Sequence, residues 1–208
     1  MKRVTIAKVN ARSDRDAWLE LRRRHLTATD WPKITGTSRW GSAEDVVADK
    51  QGFSFGEGFT PSLPMRVGTE LEPMIVKRAI ELLGPGEYLS QEFISRKHLG
   101  FTPDLVQVNR SSEWVLVEIK VSVKEWNEAV PPDYLDQVRF QATVLGLDQV
   151  QLIHLKLPSW QDGLRIIRSG LLPEEDLTRY LVDVDEAERN QIERKADRWW
   201  KLNIETGI

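Results

Sequence analysis

Residues 114–121 read WVLVEIKV, an apolar run in which charges enter at alternate positions in its second half. Such a run predicts a β-strand, where successive side chains point to opposite faces of the sheet. Glu118 and Lys120 therefore share one face. Residues 88–95, 104–109 and 149–157 predict further strands, and residues 161–168 a possible hairpin partner of the last. Asp104 opens its strand. If the 104–109 and 114–121 strands are antiparallel neighbours, Asp104 and Glu118 converge at one edge of the sheet.

Helical signals surround these strands. Ser13 and Asp16 predict a helix start, with Ala17, Trp18 and Leu21 on one face and an end near His25. The run Thr27–Pro32 carries capping residues and a proline suited to a first helical turn, where free N–H groups favour an anion. Ser42 and Asp45 form a capping box for a short helix that Gly52 closes. Residues 52–64 form a glycine- and proline-rich loop with three phenylalanines. A helix of about 18 residues follows, ending at Gly84, with Pro73 predicting a kink or a boundary. Residues 133–146 predict a helix, and a long acidic helical stretch runs from Pro173 nearly to the end. This order predicts an α/β fold: a mixed central sheet flanked by helices, with N-terminal helices and a long C-terminal helix. No linker or repeat divides it, so residues 1–208 are expected to form a single domain.

Composition narrows the chemistry. The absence of cysteine removes disulfides, thiolate zinc sites, iron–sulfur ligation and a cysteine nucleophile, and it suits a reducing cytoplasm. No apolar run reaches the roughly 20 residues of a membrane span, and residues 1–16 do not resemble a secretory signal. The net charge of −3 is uneven: residues 1–40 hold ten Lys/Arg against four Asp/Glu. An acidic chain is a poor DNA-coating protein but a reasonable enzyme that meets DNA through a small basic surface. Arg22, Arg23 and Arg24 also read as a plain solvated helix face.

Asp104, then thirteen residues, then Glu118-Ile119-Lys120 is the arrangement with most chemistry in it. Two carboxylates on rigid strands suit Mg²⁺, whose remaining octahedral positions go to waters and substrate phosphate. Lys120 is placed to orient an attacking water or to stabilise charge on phosphate, and the Ile119 carbonyl is a further candidate ligand. Glu72, on the helix before the first strand, is a third candidate carboxylate. Gln137 and Gln141 lie one turn apart on the helix after the lysine strand. Each of these three also reads as an ordinary surface residue when taken alone.

Together the blocks Trp18-x-x-x-Arg22, Leu26-Thr-Ala-Thr29, Gly68-x-x-x-Glu72-Pro73, Thr102-Pro-Asp104, Glu118-Ile-Lys120 and Tyr134-x-x-Gln137-Val-x-x-Gln141 span residues 18–141. In this order they resemble the lambda exonuclease (YqaJ-type viral recombinase) branch of the PD-(D/E)XK nuclease superfamily. Thr29 and Thr102 stand where serine is common, which keeps a hydroxyl, and Leu105 follows Asp104 where glycine is frequent. The resemblance implies a Mg²⁺-dependent exonuclease, with Mn²⁺ able to substitute and two ions per site, that degrades duplex DNA from a 5′ end. It implies Asp104, Glu118, Glu72 and the Ile119 carbonyl as metal ligands. Lys120 would be the residue that positions water, with Gln137 assisting. Arg22, Thr29 and Thr102 would form a 5′-phosphate pocket, and Arg39, Met65 and Gln141 would contact DNA, Met65 as an apolar wedge and Arg39 in the minor groove. A homotrimeric ring, double-stranded DNA ends and a single-strand annealing protein are the implied partners. A bacterial cytoplasm and a phage or prophage origin are the implied setting.

Two other readings share these residues. A restriction-type or structure-specific endonuclease of the superfamily would keep Asp104, Glu118 and Lys120 without needing the Trp18–Arg22–Thr29 block. A non-catalytic DNA-end-binding scaffold would keep the fold and be free to lose all three.

Overall fold

The computed structural model describes residues 3–53, 60–108, 113–126 and 129–206. The chain begins with β1 (Thr5–Asn10), α1 (Arg15–Arg23), β2 (Leu26–Thr27), α2 (Trp31–Thr35), α3 (Ala43–Lys50) and α4 (Leu63–Leu83). It continues through β3 (Glu87–Leu89), β4 (Glu92–Arg96), β5 (Leu99–Phe101), β6 (Leu105–Val108) and β7 (Trp114–Ser122). Then come α5 (Pro132–Leu145), β8 (Gln149–Lys156), α6 (Trp160–Ser169), β9 (Leu177–Asp183) and α7 (Glu186–Trp200). Among the described residues the strands form a four-stranded sheet, β1-β4-β5-β2, and a five-stranded sheet, β3-β6-β7-β8-β9.

β7 is the middle strand of the larger sheet, antiparallel to β6 and parallel to β8. Its alternation sorts side chains between two apolar layers. Val117 and Ile119 pack with Val67, Leu71 and Ile75 of α4, whereas Leu116 packs with Val138, Phe140 and Val144 of α5. Glu118 and Lys120 follow the parity of Leu116, so the charges face α5. They sit toward the carboxyl end of a strand that α5 joins to its parallel neighbour, the usual place for a site in such a sheet.

The architecture is the expected mixed α/β fold with a long C-terminal helix. The Ser42 capping box is formed, and Gly84 closes α4. Four local expectations are corrected. Residues 88–95 are two strands in different sheets, because Gln91 between them takes a left-handed backbone with φ of 65°. Pro73 does not end its helix, which runs unbroken from Leu63 to Leu83. Residues 161–168 are helical: the Ser159 hydroxyl caps Asp162, and Trp160, Leu164 and Ile167 recur at helical spacing on the α4 layer. Residues 177–183 form an edge strand ahead of α7, mostly exposed and carrying Arg179 and Asp183, so its polarity reads like that of the helix behind it. β1 and β2 carried no expectation. Of the loop expected at 52–64, residues 54–59 lie outside the described residues, as does Asn109 of the strand expected at 104–109. Among the described residues no helix is long and apolar enough to cross a membrane.

α6 can lie close on α4 because Gly163 has no side chain. A Cβ at this position would stand 2.5 Å from Val67 Cγ1 and 3.0 Å from Leu157 Cδ1, both on fully buried side chains. Gly163→Ala gains about 1 kcal/mol of helix propensity but forces overlap that costs about 1–3 kcal/mol. The expected result is a lower urea midpoint with unchanged slope; a raised midpoint would show that the helices have room to separate.

Candidate active site

Asp104 immediately precedes β6, and the pairing of Leu105 with Val117 carries it to the flank of β7. There its Oδ2 accepts the Ile119 backbone N–H at 2.7 Å. Glu118, only 2% exposed, is held by three donors. Its Oε1 accepts from Lys120 Nζ at 2.5 Å and from Gln137 Nε2 at 2.6 Å, and its Oε2 from Gln141 Nε2 at 2.7 Å. Lys120 Nζ also donates to Gln137 Oε1 at 3.0 Å and lies 5.0 Å from the centre of the Tyr134 ring. Glu72 arrives from α4, its Oε1 accepting from Arg12 Nη2 at 3.1 Å and Gln91 Nε2 at 2.6 Å.

These groups form one electrostatic unit. Burial pushes the Asp104 carboxyl well above its ordinary range, and the charges of Glu118 and Glu72 push it further against the opposing pull of Lys120. Burial also raises Glu72, with Arg12 opposing and Glu118 adding to the shift. For Lys120 burial acts downward, but Glu118 and Asp104 outweigh it and hold the ammonium above its usual value. Carboxyls pushed up by burial and by a neighbouring carboxylate, as Asp104 and Glu72 are, make the surroundings that a divalent cation relieves. Among the described residues no three His, Asp or Glu side chains gather tightly enough to hold a metal by themselves. Mg²⁺ needs less: one or two carboxylates, with waters and phosphate oxygens completing the shell. Asp104 and Glu118 border the same cleft, with Ile119 between Glu118 and Lys120, and fit that demand. The buried Gln141 Oε1, which has no hydrogen-bond partner among the described residues, is a further oxygen left for a water or an ion.

The opposite end of the cleft is built from donors. Arg22 lies with its guanidinium 4.8 Å from the centre of the Trp18 ring and donates from Nη2 to Thr29 Oγ1 at 2.9 Å. Thr29 Oγ1 is 3.1 Å from Thr27 Oγ1, and the Trp18 indole N–H donates to Thr102 Oγ1 at 2.8 Å. Arg22, Thr29 and Thr102 border the same cleft of about 350 Å³ as Glu72, Asp104 and Glu118. The helix-start argument for an anion has little force here, because α2 is five residues long and its capping residue Asp30 is turned toward Lys50.

Gln141 lies beneath Glu118 with 1% of its surface exposed, a position from which it holds the carboxylate rather than reaching a large ligand. Arg39 pairs with Asp133 at 3.8 Å, and half-exposed Met65 lies on the first turns of α4; neither borders the cleft. Met65 is seven residues before Glu72, so it stands on the same face of the helix about 10 Å away. Arg12, Gln91, Lys50 and the Trp18 indole carried no assigned role in the sequence. Of these only Trp18 had a signal, its place four residues before Arg22.

The family described as the YqaJ-like viral recombinase domain matches residues 17–148, more than half of the chain and both ends of the cleft. The chain belongs to this family. It is thereby a member of the lambda-exonuclease/YqaJ-type branch of the PD-(D/E)XK nuclease superfamily, whose members are metal-dependent nucleases. Similar solved structures include LHK-Exo in complex with dAMP, with a TM-score of 0.67 and 17% identity over 90% of this chain and 92% of the other. The alkaline exonuclease LHK-Exo from Laribacter hongkongensis gives 0.65 and 17% over the same shares. A phage related exonuclease from Haemophilus somnus 129PT gives 0.58 and 13% over 89% of this chain and 96% of the other. At these identities the likeness shows the fold. No curated protein matches the chain.

A buried carboxylate with carboxylate neighbours is a stability cost to the metal-free protein. Asp104→Asn keeps an oxygen for the Ile119 N–H and removes the charge. At pH 8 in chelator it should melt higher, and Mg²⁺ is expected to raise the melting temperature of the wild type but not that of the variant. A variant that melts lower, or still responds to Mg²⁺, would contradict the electrostatic account.

Proposed function

We propose that residues 1–208 form a single nuclease domain, a Mg²⁺-dependent 5′-to-3′ exonuclease that acts on linear double-stranded DNA ends and leaves 3′ overhangs for phage-type recombination. The observation that carries this reading is one cleft with a carboxylate–lysine cluster at one end and an arginine–hydroxyl cluster at the other. Asp104, Glu118, Glu72 and the Ile119 carbonyl would hold the metal, as a pair of ions, with Mn²⁺ as a substitute. The bound ions would supply Lewis-acid polarisation of the scissile phosphate and a more acidic water. Lys120, kept charged between Glu118 and Asp104, orients that water and balances charge building on the phosphate oxygens. Gln137 holds Lys120 through its Oε1 and Glu118 through its Nε2, fixing their spacing.

Arg22, Thr29 and Thr102 suit the terminal 5′-phosphate: a guanidinium offers a forked pair of donors and each hydroxyl one more. Water attacks the first internal phosphorus and the P–O3′ bond breaks, releasing a mononucleotide and leaving a new 5′-phosphate on the shortened strand. The product end thus carries the group that the subsite binds, which favours repeated cycles from one end. LHK-Exo was solved with dAMP, a mononucleotide of the kind this reaction releases. A head-to-tail homotrimeric ring would let a chain of net charge −3 enclose DNA with its basic first 40 residues inward. A single-strand annealing protein would take the overhang, and the setting would be the cytoplasm of a bacterium carrying phage or prophage DNA.

The test is digestion of a linear duplex, with or without a 5′-phosphate, in Mg²⁺ and in chelator, beside a closed circle. Release of mononucleotides only from the linear phosphorylated end in Mg²⁺ is expected, and Glu118→Ala and Lys120→Ala should each lower the rate by roughly 10²- to 10⁴-fold. Cutting of closed circles would favour the endonuclease reading, and no cutting at all the scaffold. Strand entry gives a separate prediction. Unstacking terminal pairs costs a few kcal/mol per step, which an inserted apolar side chain offsets. With Met65 as the wedge, Met65→Ala slows digestion of intact duplex several-fold more than digestion of a pre-frayed end. Equal slowing on both would retire that role; Arg39 is assigned to the duplex minor groove on the same reading.

A further inference from the structure

Behind the donor end of the cleft lies a charge pair that belongs to none of the motif blocks. Lys50, the last residue of α3, has 0% of its side chain exposed, and Asp30, the capping residue of α2, has 5%. Lys50 Nζ donates to Asp30 Oδ2 at 2.7 Å and to the backbone carbonyl of Arg22 at 2.9 Å. The same Asp30 oxygen accepts the Thr27 N–H at 2.9 Å and the Thr27 hydroxyl at 2.6 Å. Two charges removed from water in this way survive only when paired and hydrogen-bonded.

The bonding has a direction. Thr27 gives its proton to Asp30, so toward Thr29 its oxygen can only accept, and Thr29 must donate to it. Thr29 Oγ1 in turn accepts from Arg22 Nη2. A chain therefore runs from the Arg22 guanidinium through Thr29 and Thr27 to Asp30, and Lys50 closes it by tying Asp30 to the Arg22 backbone. Both the side chain and the main chain of Arg22 are fixed by the same pair.

We propose that the Asp30–Lys50 pair is the positioning element of the anion subsite, presetting Arg22 and Thr29 as one group that selects a terminal phosphate monoester. This rests on the reading of Arg22, Thr29 and Thr102 as the phosphate pocket. Lys50 and Asp30 act through Arg22 and Thr29 and do not touch the ligand. An incoming phosphate oxygen takes the Thr29 proton in place of Thr27, while Thr27 stays locked on Asp30. Preorganisation of this kind lowers the ordering cost of binding.

The experiment measures binding in chelator, by fluorescence anisotropy, of duplexes closed at one end by a hairpin and bearing a 5′-phosphate or a 5′-hydroxyl at the other. The wild type should bind the phosphorylated end about ten-fold tighter. Arg22→Ala and Lys50→Met should each bring that ratio near one. The double variant Asp30→Asn/Lys50→Met carries no charge at this pair; it should regain the wild-type melting temperature without regaining the ratio. If Lys50→Met keeps the ratio while Arg22→Ala loses it, the positioning role fails and the phosphate pocket stands. If the double variant recovers both stability and ratio, the pair is only structural. Should Lys50→Met not fold, the double variant alone decides. Equal affinities in the wild type would remove the pocket and the positioning role together.

Discussion

Carboxylates drawn together and largely out of water repel, and the cleft is organised around holding Glu72, Asp104 and Glu118 against that repulsion. Each is held by donors that arrive from elsewhere in the chain. The Ile119 N–H reaches Asp104 across the β6–β7 ladder. Glu118 takes two amides from α5 and the ammonium of its own strand. Glu72 takes Arg12 from the segment between β1 and α1, and Gln91 from the corner between the two sheets. That corner is itself under strain, since Gln91 adopts φ of 65° without being glycine. Its N–H donates to the Pro103 carbonyl and its carbonyl accepts from Ala11, while the Ser90 hydroxyl donates to the Asp104 carbonyl. The strained turn thereby fixes the backbone beside one carboxylate and the side chain of another.

The donor end follows a different rule. Two cations there meet a counter-charge or a π-face: buried Lys50 on Asp30, and half-buried Arg22 on the Trp18 ring. Burial resists the Asp30 charge, but Lys50, Arg22 and the Thr27 hydroxyl more than compensate and hold its carboxyl below the ordinary range. The uneven charge of the sequence thus has a local meaning. Arg22 and Thr29 come from the basic first 40 residues, whereas the three carboxylates come from the acidic middle of the chain. One cleft joins the two.

What was legible in the sequence was whatever a short period or a fixed spacing encodes. The alternation in residues 114–121 predicted that Glu118 and Lys120 share a face, and the i, i+4 spacing of Gln137 and Gln141 predicted a shared helix side. Asp104 could be expected near Glu118 because the two strands are adjacent in sequence, which favours pairing. Contacts across long separations carry no such signal. Arg12 meets Glu72 sixty residues later, and Lys50 meets Asp30 through the packing of two short helices. Local ambiguity explains the other misses. The amphipathic run at 160–169 is apolar enough to pass for a strand until Ser159 is seen as its cap, and β9 is an edge strand whose exposed charges imitate a helix.

Glu118 is crowded with donors. Its Oε1 already accepts two donors and its Oε2 one, so three of the carboxylate's four lone-pair directions are taken and a cation that comes onto Oε1 displaces a donor. The Gln141 amide is confined in the core with 1% exposure, and Gln137 is tied to Lys120 as well as to Glu118. Lys120 is the donor with an alternative, because it has three protons, a second acceptor in Gln137 Oε1, a π-face in Tyr134 and 18% of its side chain open to the cleft. Its ammonium thereby offsets the charges of Glu118 and Asp104. On the proposed reading, a cation at Glu118 would free that ammonium for the cleft, where a water or a phosphate oxygen is the group able to receive it. Such an exchange would link occupation of the carboxylate end to readiness of the chemistry through a single ion pair.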